Sequence, residues 1–257
     1  MTAKNYYTYY DRLFSKKDYG REVDVVLRFA KEHGIKGTAI LDVGCGTGSH
    51  ALEFARRGYS VVGTDTDCGM IAAANEKREQ SGEQEKLTFV CGDISDARTG
   101  EADIAVSLFH VVNYIQEPDA LRAFFRAIHE RLRGGGIFVF DCWNGVAAIA
   151  DTPKEKATSI ECEGERIETS MVPDIHLMEQ RVVMHDAVRV LRGGAEKALF
   201  QFEYAQRLWT PWHLTGILRE SGFETVRITS WAEPEKAAAH ATWKIVFVCK
   251  KEIISQK

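Results

Sequence analysis

Only five prolines and six cysteines occur in 257 residues, and the cysteines (45, 68, 91, 142, 162 and 249) stand far apart with no C-x-x-C pair. That spacing argues against a zinc ribbon or a dithiol redox motif, and no metal site is expected. The first twenty residues carry Lys4, Asp11, Arg12, Lys16, Lys17 and Asp18, so they hold no apolar export core. The cysteines are therefore expected to be reduced and mostly buried, in a cytoplasmic protein. No uninterrupted apolar run approaches the roughly 18–20 residues of a membrane helix, so no membrane partner is expected. An excess of either charge is missing too: 33 Lys+Arg face 37 Asp+Glu, for a net charge of −4. With a pI of about 6.1 and no Lys/Arg block, the chain lacks the footprint that phosphate-backbone binding needs, and nucleic acid is not an expected partner.

What is present is an ordinary globular composition, 45% hydrophobic and 27% charged. At about 150 residues per domain the length allows one to two domains. Short β-branched runs alternate with helical stretches through the first half, the signature of a parallel sheet covered on both faces. Strands are expected over 38–43, 60–65, 87–91, 103–109 and 137–141, with helices over 21–33, 47–57, 68–80 and 118–133. Pro118 suits the first turn of the last helix, and Gly134, Gly135 and Gly136 are read as its end.

After Asp141 the rhythm changes. Segments 159–170, 175–191 and 197–209 read as antiparallel strands, with a hairpin turn at Arg192-Gly193-Gly194-Ala195. Ala198, Phe200, Phe202 and Tyr204 alternate with polar residues, so one face of the last strand is apolar and should pack over something. A helix over 211–221 and strands over 225–230 and 243–249 follow. The expected fold is a Rossmann-like, doubly wound α/β sheet of seven mostly parallel strands with an inserted antiparallel β subdomain. Its parts would be 1–150, an insert over 151–207, and a return over 208–257.

Ile40-Leu41-Asp42-Val43-Gly44-Cys45-Gly46-Thr47-Gly48 puts a glycine turn between the first strand and its helix. Glycine there allows close ligand approach, and the helix start offers free N–H groups. The Gly-Lys-Ser/Thr of a phosphate loop is missing; counted from Gly46, a dinucleotide spacing with Ala51 stays open. Asp42, just before the glycines, suits a cation better than a pyrophosphate. Asp65 ends the second strand, where a carboxylate can accept from ribose hydroxyls, and Asp93 follows the third at the same sheet edge. The ligand implied carries a ribose and a positive charge.

With these residues the chain resembles the class I S-adenosylmethionine-dependent methyltransferases. Residues 41–48, Gly63-Thr64-Asp65 with Met70, Gly92-Asp93-Ile94 and Leu132-Arg133-Gly134-Gly135-Gly136 match successive motifs of that family. The resemblance implies S-adenosyl-L-methionine as cofactor and a small-molecule acceptor. It assigns Gly44 and Gly46 to the methionine moiety, Asp65 to the ribose, Met70 to the adenine face, Asp93 and Ile94 to the adenine edge and ring, and the Leu108 carbonyl to the methionine ammonium. Tyr10 and Tyr19 would contribute to a lid over the site.

Tyr10-Asp11, Lys17-Asp18-Tyr19, Phe140-Asp141-Cys142-Trp143 and the insert are similar to bacterial N,N-dimethyltransferases of nucleotide-linked amino sugars. That likeness implies methylation of an amine; the alternatives are an O-methyltransferase of small molecules or a non-catalytic cofactor-binding module. Arg166, Arg181, Arg189, Arg192 and Arg207 on the insert could meet a diphosphate, or simply form the polar side of a surface sheet. Phe109, Trp143 and Trp209 would wall the site or lie in the core. A protonated amine must lose a proton before it attacks, and His110, just after the fourth strand, is the candidate base. Tyr10 and Tyr204 would instead orient the amine. A homodimer is a compatible assembly.

Overall fold

The computed structural model describes residues 6–95 and 99–252. Helix α1 (Tyr6–Leu13) and helix α2 (Tyr19–Glu32) precede β1 (Ala39–Val43), α3 (Ser49–Arg56), β2 (Ser60–Asp65), α4 (Cys68–Glu79), β3 (Leu87–Cys91) and β4 (Ala102–Ser107). Next come α5 (Val111–Tyr114), α6 (Pro118–Arg131), β5 (Leu132–Trp143) and α7 (Gly145–Ala150). The antiparallel strands β6 (Lys156–Cys162), β7 (Glu165–His176), β8 (Arg181–Arg192) and β9 (Ala195–Arg207) follow, then α8 (Pro211–Glu220), β10 (Phe223–Ser230) and β11 (Lys244–Lys251).

The large sheet has the order β10-β11-β5-β4-β1-β2-β3, parallel except where β11 runs antiparallel to its two neighbours. Its central strands are apolar on both faces because helices cover both. Ile137 and Val139 of β5 join the layer under α2 and α3, whereas Phe138 and Phe140, one residue out of phase, join the layer under α6 and α8. Helix α2 shows how local signals agree with this packing: Asp18 caps it by accepting from the Arg21 amide at 2.9 Å, and Val23, Val26, Phe29 and Ala30 form its buried stripe. β1 lies between β4 and β2, so strand order reverses beside the glycine turn, and the carboxyl ends of β1, β2, β4 and β5 open on one edge.

The second sheet, β6-β7-β8-β9, covers α1. Tyr9 of α1 is buried with Ile167, Val188, Val190 and Ala198, and the Tyr6 ring lies 4.3 Å from that of Phe202. The apolar face expected on β9 thus packs on the N-terminal helix. Arg12 of α1 also pairs at 2.9 Å with Glu165, a carboxylate only 3% exposed.

Several boundaries differ from the sequence expectation. The three glycines do not end α6, which stops at Arg131; they lie within β5, with only Gly135 at positive φ (+79°). Segment 159–170 is two strands turned at Glu163-Gly164, both at positive φ, and segment 175–191 is interrupted by a short 3-10 turn at Leu177–Glu179. The hairpin at Gly193-Gly194 forms as expected, both residues at positive φ. Cys68 and Cys91 are joined by a disulfide, with their Cα atoms 5.1 Å apart. The absence of an apolar export core predicts reduced cysteines, and nothing local pairs these two, which stand 23 residues apart. Parallel pairing sets Cys91 opposite Asp65, and Cys68 opens the helix three residues later. One support for a cytoplasmic location is thereby lost. Cys45, Cys142 and Cys249 are buried and free. Among the described residues no helix is long and apolar enough to cross a membrane.

Candidate active site

The turn after β1 is built around glycine. Gly44 has φ +75°, and a Cβ there would come within 2.6 Å of the Val111 side chain; Gly46 has φ +54° and open space where a Cβ would point. The turn is braced from β2: Asp65 accepts from the Gly46 amide at 2.8 Å and from the Asp67 amide at 2.9 Å. Burial raises the Asp65 carboxyl above its ordinary range against those amide hydrogen bonds. Asp67 caps α4 by accepting from Gly69, and Met70 lies in that first turn. Asp93 is exposed and closes a local turn with Ser95, whereas the Ile94 and Leu108 side chains are buried to 2% exposure.

Asp42 is 1% exposed, its Oδ2 has no hydrogen-bond partner, and burial raises its carboxyl to about 6. A buried anion with an orphaned oxygen beside an open glycine turn fits a cationic ligand with no phosphate at that point. S-adenosylmethionine, with an ammonium and a sulfonium, has that character.

Helix α1 lies against this edge. Asp11 accepts from Thr47 of the glycine turn at 2.6 Å and from Lys77 of α4 at 3.0 Å, and the Tyr7 hydroxyl donates to Asp67 at 2.9 Å. Tyr10 packs on Phe14 (4.8 Å between rings), and Phe14 on Phe109 (5.1 Å). Burial first, then the neighbouring phenols of Tyr19 and Tyr114, push the Tyr10 phenol well up. Burial likewise raises Tyr19 to about 12; its ring stands on His50, which is held by Glu22 at 2.7 Å.

At the ends of β4 and β5 the chain holds Phe109 and His110 at φ +74° and +65°, conformations that are costly for side-chain-bearing residues. Asp141 secures them. Its Oδ1 accepts from the Phe109 amide at 2.6 Å and the His110 amide at 3.3 Å, and its Oδ2 lies 2.8 Å from His110 Nδ1, off the line of a good hydrogen bond. Burial works to raise the Asp141 carboxyl, but the His110 ring and the two amides outweigh it, so it sits below its ordinary range. Asn113, fully buried, accepts from the Trp143 amide at 2.9 Å and donates to the Arg207 carbonyl at 2.7 Å, tying α5 to β5 and the insert.

The residues singled out from sequence thus gather at one edge, with Tyr204 beyond α5, its ring 5.4 Å from that of Tyr114. In the sequence Asp141 stands out only through family likeness. The rule that ligands bind at strand carboxyl ends applies to it as much as to Asp65 and would have found it. Lys77 carries no sequence signal, and the contacts that join Asp11, Thr47, Lys77 and Tyr7 to their partners span 30 to 66 residues and are not readable locally. Trp209 is core, 3% exposed, with its indole N–H on the Ile115 carbonyl. Arg166, Arg189 and Arg192 pair with glutamates of the same sheet and Arg181 with Glu179 of the 3-10 turn, as the surface-sheet reading expects, while Arg207 lies over Trp209. No group of three or more His, Cys, Asp or Glu among the described residues could hold a metal.

Residues 40–136 match the family model described as a methyltransferase domain. A protein of Geobacillus sp. (strain WCH70) designated a methyltransferase is 32% identical over 143 residues, 55% of this chain and 57% of that one. The dTDP-3-amino-3,4,6-trideoxy-alpha-D-glucopyranose N,N-dimethyltransferase of Streptomyces venezuelae is 28% identical over 136 residues, 52% and 55% of the two chains. The chain spans about half the length of these curated relatives. A crystal structure of an S-adenosylmethionine-dependent methyltransferase from Clostridium acetobutylicum superposes with a TM-score of 0.81 at 20% identity, covering 96% of this chain and 97% of that one. Residues 40–136 thus carry the mark of a methyltransferase domain, and the strand order and glycine turn share the fold of S-adenosylmethionine-dependent methyltransferases.

Proposed function

We propose that the chain is an enzyme that methylates an amine nitrogen of a small-molecule acceptor, of the class represented by nucleotide-linked amino sugars. The observation that carries this is the buried His110–Asp141 pair at the edge where Asp42 and the glycine turn converge. An amine is protonated near neutral pH, and His110, beside the Asp141 carboxylate, would take that proton. An alcohol acceptor, the second reading, needs a base as well; the amine is favoured by the dimethyltransferase relative.

When bound, S-adenosylmethionine supplies a methyl group already activated on sulfur, so the residues mainly position and desolvate the reactants. Asp42 would face its positive charge, Gly44 and Gly46 would let the methionine end approach, and the Leu108 carbonyl would accept from its ammonium. Asp65 would bind the ribose, with Met70, Asp93 and Ile94 around the adenine. Tyr19 and Tyr10 would exclude water, while Tyr10 and Tyr204 orient the amine. The pre-ordered contacts of α1 fit a cover that closes behind the acceptor. Such positioning accounts for about 7–11 kcal/mol of barrier in well-oriented reactions. Incubation of a metabolite extract with the protein and methyl-labelled S-adenosylmethionine, read by mass spectrometry, should yield a labelled amine; labelled ethers or esters alone would refute the amine assignment.

A further inference from the structure

Where the insert meets α1 and α5 lies a cluster outside the methyl-donor site. Asp186 of β8 accepts from the Tyr204 hydroxyl at 2.8 Å through Oδ2, while its Oδ1 is buried without a hydrogen-bond partner. The Tyr204 ring lies 5.4 Å from that of Tyr114, and the Tyr6 ring 4.3 Å from that of Phe202, the residue paired with Asp186 across the strands. Burial, and after it the Tyr114 phenol and then Asp186, raises the Tyr6 and Tyr204 hydroxyls; Tyr114 is raised by burial and by Asp186 against hydrogen bonds from Gln206 and Tyr204. The carboxylate's field therefore reaches three phenols. No Lys or Arg among the described residues forms an ion pair with Asp186; the one titratable cation acting on it is the adjacent His185. Tyr114 is still 49% exposed, so the cluster is open to an incoming molecule.

A desolvated carboxylate with a free oxygen, set among aromatic rings and without a Lys or Arg partner, has the chemistry of an organic-ammonium receptor: the oxygen accepts an N–H or faces a positive charge, and aromatic rings attract a cation. A bare metal ion would lack oxygen ligands here, since one carboxylate and phenols do not complete a coordination shell. Tyr114 ends the short helix that begins right after His110, so the cluster adjoins the candidate base. We infer that Asp186, with Tyr6, Tyr114 and Tyr204, forms the subsite that receives the acceptor's ammonium group and selects amines over alcohols. This rests on the amine-methyltransferase reading above.

Choline and its uncharged isostere 3,3-dimethylbutan-1-ol test the subsite without knowledge of the acceptor. Titrated by calorimetry into the full chain, choline should bind at least about tenfold tighter than the alcohol. Asp186→Asn should reduce that preference to about twofold or less, with an unchanged circular-dichroism melt and unchanged S-adenosylmethionine affinity. Asp174→Asn, which removes an exposed charge from the same sheet, should keep the preference. Equal binding of the two probes, no choline binding at millimolar concentration, or choline binding undiminished in a folded Asp186→Asn protein would each overturn the assignment. Failure of the parent protein to bind S-adenosylmethionine would instead count against the methyltransferase reading.

Discussion

Replacing Asp42 by Asn isolates a conflict between stability and cofactor binding. Burial holds the Asp42 carboxyl at about 6, against 3.8 for a solvated aspartate, so the fold without ligand disfavours the charged form that still prevails above pH 6. A shift of that size corresponds to about 3 kcal/mol. Because the folded-state pKa lies above the unfolded one, the contribution is fully present below about pH 4 and is lost as the pH rises through about 6. Asp42→Asn, neutral at every pH, should therefore match the parent in urea melts near pH 4 and exceed it by up to about 3 kcal/mol above pH 6. Cofactor binding should show the opposite preference. A cationic ligand draws the carboxyl into its charged form, so parent affinity for S-adenosylmethionine, measured by calorimetry, should rise by up to tenfold per pH unit to about pH 6 and then level. In Asp42→Asn the profile should be flat, and affinity at pH 7 about tenfold weaker or worse. A pH-independent stability difference, or parent affinity that does not change between pH 5 and 7, would refute this account.

His110→Ala should lower kcat by about 10²-fold or more with cofactor affinity nearly intact, and Asp141→Asn should do so partly; a loss under tenfold with an unchanged pH–rate profile would leave positioning alone as the source of rate. Asp65→Ala should weaken S-adenosylmethionine binding by roughly ten- to hundredfold, through lost ribose contact and a loosened Gly46 turn, as read by calorimetry. Cleaving the exposed Cys68–Cys91 bond, or replacing both residues by Ala, should cost about 3 kcal/mol by loop entropy and lower Tm by roughly 6–12 °C; equal melts with and without reductant would contradict the bond.

The motif residues were readable because each lies close in sequence to the strand that carries it. Gly44 and Gly46 follow β1, Asp65 ends β2, and His110 follows β4; strand alternation and the rule that sheets bind ligands at their carboxyl ends suffice to bring them together. The apolar face of β9 was equally legible from its period of two. What that face packs on was not, because Tyr6 and Phe202 are joined by burial across almost the whole chain. Nor could local sequence give the Cys68–Cys91 bond, which depends on the register of β2 with β3, or the turn at Glu163-Gly164, where strand propensity on both sides hides the break. Ending α6 at the glycines failed for a related reason: pairing with β4 and β11 draws that stretch into β5 against glycine's weak strand preference. The sequence alone therefore determined the fold class and the sheet edge at which the motif residues lie, both of which follow from short-range periodicity. Tertiary packing decided the cover, the pairing of His110 with Asp141, and the isolation of Asp186, because each requires side chains distant in sequence to exclude water together.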